Sequence, residues 1–335
     1  MYKTAEAVSL GHPDKTSDYI SSYILDRMIE QDPNVKYAVE VMLKDNTVVL
    51  GGEITGNVNL DNVDAYVKSA LRQIGYDESY AEIWKDNALN INKIKVINLV
   101  GKQSPEINCG VVQNGWGDQG VFVGYACKGE GFINRELYLA RKLNSALYDL
   151  AKQNKNLGLD IKTQITLDDD GNIETAIAAV PMLEYVDLRD FICSVLQENV
   201  KNLIVNGTGV YKQHSSVADC GITGRKLACD FYSAAAPIGG GSPWTKDASK
   251  ADLSLNLYAR KLAVENLHDN DEVFVYLSCC IGRADMMSSV LKAVKNNNTN
   301  IQNITIRKTP AEIISELGLN QPIFADLCRK GISGI

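Results

Sequence analysis

The amino-acid sequence predicts an α/β protein built from three similar units, and three observations carry that expectation. One order of elements (helix, strand, strand, helix, strand) recurs along the chain. At 335 residues, 45% hydrophobic and 22% charged, the chain has an ordinary globular composition and enough length for two or three cores. Two glycine-rich stretches, 101–120 and 219–252, interrupt the repeat, and loops of that length are usually functional.

In the first unit, Tyr19, Ile20, Tyr23, Ile24 and Met28 recur at helical spacing between Asp18 and Glu30, and Pro33 closes the segment. Residues 36–43 and 47–54 alternate around Lys44-Asp45-Asn46, which reads as a hairpin. A helical pattern over 63–74 and a strand over 94–100 follow. The order returns as a helix over 137–153, strands over 163–167 and 173–180 about Asp168-Asp169-Asp170-Gly171, a helix over 188–200 and a strand over 203–205. The third pass is partial: a helix over 249–267, a strand over 272–280, an ambiguous segment over 286–294, and a helix restarting at 310–317. Strands such as 273–280, apolar on both faces, need cover on both. The expected divisions are 1–100, a lid loop at 101–120, 121–218, and 219–335.

Composition excludes several classes. A net charge of −7 argues against a nucleic-acid partner, whose footprint is a basic stripe or domain. No apolar run approaches the eighteen or so residues that span a bilayer, and the N-terminus lacks the apolar core of a signal peptide, so a soluble, cytoplasmic protein without membrane contact is expected. The eight cysteines include no Cys-x-x-Cys pair and several sit in apolar runs, so all read as reduced thiols. With only three histidines, zinc has little support.

Residues 219–252 read DCGITGRKLACDFYSAAAPIGGGSPWTKDASKAD. Glycines let successive N–H groups approach an anion, and Arg225, Lys226, Lys246 and Lys250 supply countercharge, a pattern suited to polyphosphate. It is not a Walker A loop, because Gly239-Gly240-Gly241 is not followed by Gly-Lys-Ser or Gly-Lys-Thr. Taken alone, a glycine triplet is more often a solvated surface loop. Near the N-terminus, Gly11-His12-Pro13-Asp14-Lys15 stands directly ahead of a helix, whose free N–H groups and dipole favour phosphate. His12 can donate to an oxyanion, Asp14 can ligate Mg²⁺, and Lys15 can pair with phosphate. In isolation, Asp14 as a helix cap is an equally good reading.

The chain resembles the S-adenosylmethionine synthetase family. The matching motifs are GHPDK at 11–15, GGEIT at 51–55, GKQSPEIN at 101–108, GDQG at 117–120, DCGITGRK at 219–226 and the glycine-lysine series ending at Asp252, all in the family's order. The resemblance implies three interleaved, pseudo-threefold α/β domains and a homodimer with shared active sites, or a dimer of such dimers. It also implies the reaction: methionine sulfur attacks C5′ of ATP, tripolyphosphate leaves, and it is then cleaved to pyrophosphate and phosphate. A thioether has no proton to lose, so no general base is needed, and the work is alignment and charge stabilisation.

Carried over residue by residue, the resemblance makes His12, Lys162, Arg225 and Lys246 catalytic. ATP is expected against His12, Lys15, Asp118, Asp160, Lys162, Tyr211, Asp219, Arg225, Lys226, Ser242 and Lys246, with Tyr211 stacked on adenine unless it is a core tyrosine. L-methionine is expected against Glu53, Gln103, Asp219 and Lys250. Asp14 and Asp252 are the implied ligands of two Mg²⁺ ions per site, and Glu40 the K⁺ carboxylate, although a solvent-facing strand residue would look the same. The chain departs from the family at Leu10 (usually Glu), Gly207 (usually Pro), Ile238 (usually His) and Leu253 (usually Arg), and its lid and C-terminal tail are short. Two rivals stay open: an ATP or tripolyphosphate hydrolase, and a non-catalytic regulatory subunit. Glu53, Gln103 and Lys250 weigh against the first, and His12, Asp14 and the lysine set against the second.

Overall fold

A computed structural model describes residues 3–102 and 115–334. The repeating unit begins one strand earlier than the sequence pattern indicates. β1 (Lys3–Val8) leads into α1 (Pro13–Gln31), β2 (Lys36–Lys44), β3 (Thr47–Thr55), α2 (Val63–Ile74), α3 (Glu78–Trp84) and β4 (Lys95–Lys102). β5 (Gly120–Cys127) leads into α4 (Arg135–Gln153), β6 (Lys162–Leu167), β7 (Ile173–Ala179), α5 (Arg189–Leu196) and β8 (Val200–Val205). The short β9 (Gly221–Ile222) precedes α6 (Ala251–Glu265), β10 (Glu272–Cys279), β11 (Ser288–Lys295), β12 (Asn298–Asn303), α7 (Pro310–Glu316) and α8 (Phe324–Lys330).

Each leading strand pairs with the hairpin of the next unit, not with its own. β1 runs antiparallel to β6, β5 to β10 and β9 to β2, which gives the sheets β1-β6-β7-β8, β12-β11-β10-β5 and β4-β3-β2-β9. The units are thus interleaved in a ring, and each exchange covers an open sheet edge. Contiguous divisions at 1–100, 121–218 and 219–335 therefore do not coincide with the sheets: the first residues complete the middle sheet, and 221–222 complete the first. Local periodicity carries no signal for such long-range pairing.

Two boundaries differ from expectation for local reasons. Gln197 takes a left-handed φ of 59° and ends α5 at Leu196, so Val200 begins β8 instead of closing a helix. The ambiguous 286–294 segment is strand β11, and Asn296 and Asn297, at φ 48° and 62°, turn it back into β12. Two consecutive positive φ values suit a tight hairpin, and asparagine tolerates them. The third unit lacks the crossover helix that makes β4 parallel to β3 and β8 parallel to β7.

The long helices α1, α4 and α6 lie behind the sheets, and α1 and α6 are buried on nearly every side. Their interior therefore takes in polar side chains, among them Asp14, Lys15, Asp18, Asp26, Asp252, Asn256 and Arg260. This is why the apolar spacing places the start of α1 at Asp18 whereas the helix starts at Pro13. Among the described residues seven cysteines are free thiols, and Cys109 lies outside them. No helix of the described residues is long and apolar enough to cross a membrane.

Asp26 ties the ends of the chain together. Its carboxylate accepts the N–H groups of Phe324 and Ala325 at 2.8 and 2.9 Å, satisfying two of the free donors at the start of α8. Asp26→Ala should lower unfolding free energy by about 1–3 kcal/mol, the usual cost of orphaning buried donors, and should release the amide protection of α8. A denaturant midpoint unchanged from wild type would contradict this.

Candidate functional site

The site begins where α1 meets the 219–226 loop. His12 is the N-cap of α1, and its Nδ1 accepts the Asp14 N–H at 3.2 Å. A ring nitrogen that accepts cannot carry the proton, so the neutral imidazole presents Nε2–H. One turn apart on the same helix face, Asp14 and Asp18 grip the loop backbone: Asp14 accepts from the Ile222 N–H at 2.9 Å, and Asp18 from the Gly224 N–H at 2.8 Å. Asp14 also accepts from Lys226 Nζ at 2.7 Å, with Arg225 Nε 3.8 Å away.

The glycines of this loop have a steric role. A Cβ on Gly221 would collide with the Pro13 carbonyl, and Gly224, at φ 74°, lies where a Cβ would come within 2.8 Å of the Ser242 Cβ. The loop is thus pressed between the first turn of α1 and the 239–242 glycine segment. That contact makes a second cluster continuous with the first. In it, Asp252 at the start of α6 accepts the Gly241 N–H at 2.6 Å and pairs with Lys246. The Lys246 backbone bridges to Ala38 on the edge of β2, and Ala38 faces Glu53 across β3, so Glu53 and Lys246 flank one strand position.

Charges in the first cluster govern one another. Burial, then Lys226 and Lys162, hold the His12 pKa down at about 3. Burial opposes ionisation of Asp14, but Lys226 and the Ile222 N–H outweigh it and keep the carboxylate below its usual value. Asp160 is pushed up to about 6 by burial; its Oδ2 accepts the Ser215 N–H at 2.9 Å, and its Oδ1 is buried without a partner. Ser242 Oγ is likewise buried and unpartnered. Orphaned buried polar atoms are uncommon in native proteins, and one that borders a site can be completed there by an ordered water or a ligand.

Most of the expected residues gather here, and some sit at its margin. Lys162, at the start of β6, is exposed and acts on both His12 and Asp160. Tyr211 is half-buried within the field of Asp160. Asp219 is exposed, and its Oδ1 accepts the Cys220 N–H at 2.8 Å. Asp118 lies by the second cluster: the Gly117 N–H reaches the Ser249 carbonyl at 3.4 Å, and Asp118 and Asp252 both act on the Cys279 thiol. Lys250 is buried at the N-cap of α6. Glu40 accepts a hydrogen bond from the Thr223 hydroxyl. Gln103 and most of the 101–120 lid lie outside the described residues.

Lys15 is a correction. Its ammonium turns into the interior, 2.8 Å from Asp230 and 3.2 Å from Asp18, over the Trp244 ring. Burial opposes this charge, but Asp230 and Asp18 outweigh it and raise the pKa. A lysine so neutralised braces the start of the helix from within. Asp18 is the residue that sequence reasoning missed, and its signal was present in the i, i+4 spacing from Asp14.

The donor set bears on the implied metals. Asp14 and Asp252 each contribute one carboxylate, each already countered by a lysine, and the described residues hold no group of three or more potential ligands. The described residues thus offer two single carboxylates, a set that fits Mg²⁺ carried on phosphate oxygens, since Mg²⁺ commonly takes one or two carboxylates plus substrate phosphates and waters. For K⁺, Glu40 with the Thr223 oxygen offers hard oxygen donors that other groups must complete.

The described residues thus combine interleaved α/β units with lysine–aspartate pairs, glycine-lined backbone and a buried histidine at one place. Models of the N-terminal, central and C-terminal domains of S-adenosylmethionine synthetase match residues 1–105, 113–218 and 214–334. The chain belongs to the S-adenosylmethionine synthetase family. A solved structure described as an unusual S-adenosylmethionine synthetase from Campylobacter jejuni is similar to it, with a TM-score of 0.87 and 31% identity over 100% of this chain and 95% of that one.

The histidine state is directly testable. Because the folded pKa is about 3 against 6.5 for the free side chain, the unfolded chain takes up a proton that the native one refuses. The stability this contributes is complete above about pH 6.5 and is lost as pH falls toward 3. His12 ring resonances should therefore stay in the neutral Nε2–H form from pH 8 to about pH 5. An NMR titration midpoint near 6.5 would show that the ring is hydrated and charged in the native state.

Proposed function

We propose that this chain is a methionine adenosyltransferase, joining L-methionine to ATP and then cleaving the tripolyphosphate released. The observation that carries the proposal is the His12 donor. Its proton is held on Nε2 by the helix cap, beside Lys162 and Lys226, where charge would develop on the oxygen leaving C5′. Lys226, Arg225, Lys162 and Lys246 would hold the phosphates, and the orphaned Asp160 and Ser242 atoms would receive the nucleotide's polar groups. Bound Mg²⁺ supplies neutralisation of phosphate charge, with Asp14 and Asp252 as its protein ligands. Glu53 and Lys250, with Gln103, would serve methionine, and Glu40 would serve K⁺.

The assembly reading is supported by the outer face of the β4-β3-β2-β9 sheet. Met42, Ile97, Leu99 and Ile222 are exposed there, Leu99 at 66%, and Glu40 and Glu53 share that face by strand alternation. An apolar sheet face rimmed by site carboxylates suits a second copy of the chain, consistent with a dimer whose sites are shared.

Purified protein given ATP, methionine, Mg²⁺ and K⁺ should form S-adenosylmethionine; ATP consumed without that product would favour the hydrolase. Activity should vanish with EDTA and rise with K⁺, and equal turnover in EDTA would refute the metal roles. His12→Ala should lower S-adenosylmethionine formation by about 10² to 10³ while sparing hydrolysis of added tripolyphosphate, whereas Lys246→Ala and Arg225→Ala should depress both. Equal loss of both steps in His12→Ala would mean that His12 positions phosphates and does not act at the ribose.

A further inference from the structure

We propose a second anion site, for a small dianion of the phosphate class, in the cavity between α1, α4 and α8. The cavity has a volume of about 300 Å³ and is bounded by residues 7–10, one stripe of α4 from Arg141 to Lys152, and Arg329 to Gly331. Lys15 reaches its wall, but neither His12 nor Asp14 does, so it is separate from the lysine–aspartate clusters.

Its charges do not balance. Lys15 and Asp230 neutralise each other, and Lys330 pairs with Asp326 at 2.8 Å. Arg141 has donors engaged by the carbonyls of Cys229 and Phe231, which leaves its charge in place but its geometry fixed. That leaves Lys152 over the Tyr148 ring at 4.6 Å and Arg329 over the Tyr19 ring at 5.4 Å, with Arg329 also 3.1 Å from the Tyr19 hydroxyl. Among the described residues neither cation is in an ion pair, and the nearby Asp149 is the one carboxylate set against the two. Both cations line the one cavity, and burial, then the charge of Arg329, depress the Lys152 ammonium. An anion between them would relieve that repulsion and gain two charge-assisted contacts.

The walls also set the ligand class. The Tyr148 hydroxyl already donates to the Ile74 carbonyl, and the Asn144 amide to the carbonyls of Ala7 and Ile161. The cavity thus offers charge but few free donors or acceptors to select a base or a sugar, which favours a compact inorganic oxyanion. A dianion there would bridge the middle helix to the C-terminal one. It would also abut the chain of contacts from Asp230 through Lys15 and Asp18 to the Gly224 N–H, which supports the 219–226 loop.

The test uses the full chain and does not depend on the transferase reading. In an Arg225→Ala/Lys246→Ala parent, which weakens the other anion cluster, inorganic phosphate titrated at low salt should bind at one site per chain and raise the melting temperature. Adding Lys152→Gln, at an exposed position that leaves the core untouched, should weaken binding about tenfold or more, the scale of one lost charge-assisted contact, and remove the thermal shift. Arg329→Gln should act the same way, with circular dichroism reporting whether its packing on Tyr19 was needed for folding. Phosphate that does not bind the parent, or binds it and the Lys152→Gln variant equally, overturns the proposal.

Discussion

The grip of two carboxylates on one backbone loop is the interaction on which the rest of the site depends. Asp14 and Asp18 point the same way from a buried helix and take the N–H groups of Ile222 and Gly224. The loop they hold carries Arg225 and Lys226, pairs through β9 with β2, and abuts Ser242. Burial pushes Asp18 up to about 7, with Lys15 opposing that rise and the charge of Asp230 adding to it. Without this arrangement the two lysine–aspartate clusters would have no common frame.

The exchange of leading strands is what brings that loop to that helix. Because β9 completes the first sheet, residues 219–226 are delivered to the start of α1 from more than two hundred positions away. Because β1 and β6 pair, the register puts Val8 opposite Lys162 and places Asp160 and Lys162 beside the Gly11–Lys15 turn. The ring of exchanges is thus a device for assembling one site from all three thirds of the chain. It also explains the polar interior: helices buried on every side carry the groups that hold these crossings together.

The electrostatic design keeps His12 neutral and Asp14 charged within the same turn. Both are buried, so desolvation disfavours charge on each. Burial by itself favours the neutral His12 ring and the lysines reinforce it, whereas at Asp14 Lys226 and the Ile222 N–H overcome burial and keep the carboxylate charged. A neutral donor beside fixed cations suits charge that appears on a leaving oxygen, because nothing has to be neutralised first.

The sequence by itself determined most of the element types, the hairpins at 36–55 and 163–180, and the family. Each is written in local spacing or in short motifs such as the one that holds His12 and Asp14. The tertiary structure alone decided which strand pairs with which, because β1, β5 and β9 find partners in other units through backbone hydrogen bonds that leave no mark on side-chain periodicity. It also decided the roles of charged residues adjacent in sequence: Asp14 faces the site while Lys15 turns inward to Asp18 and Asp230. Neighbours on a helix point about 100° apart, and only the packing around α1 determines which direction meets ligand and which meets core.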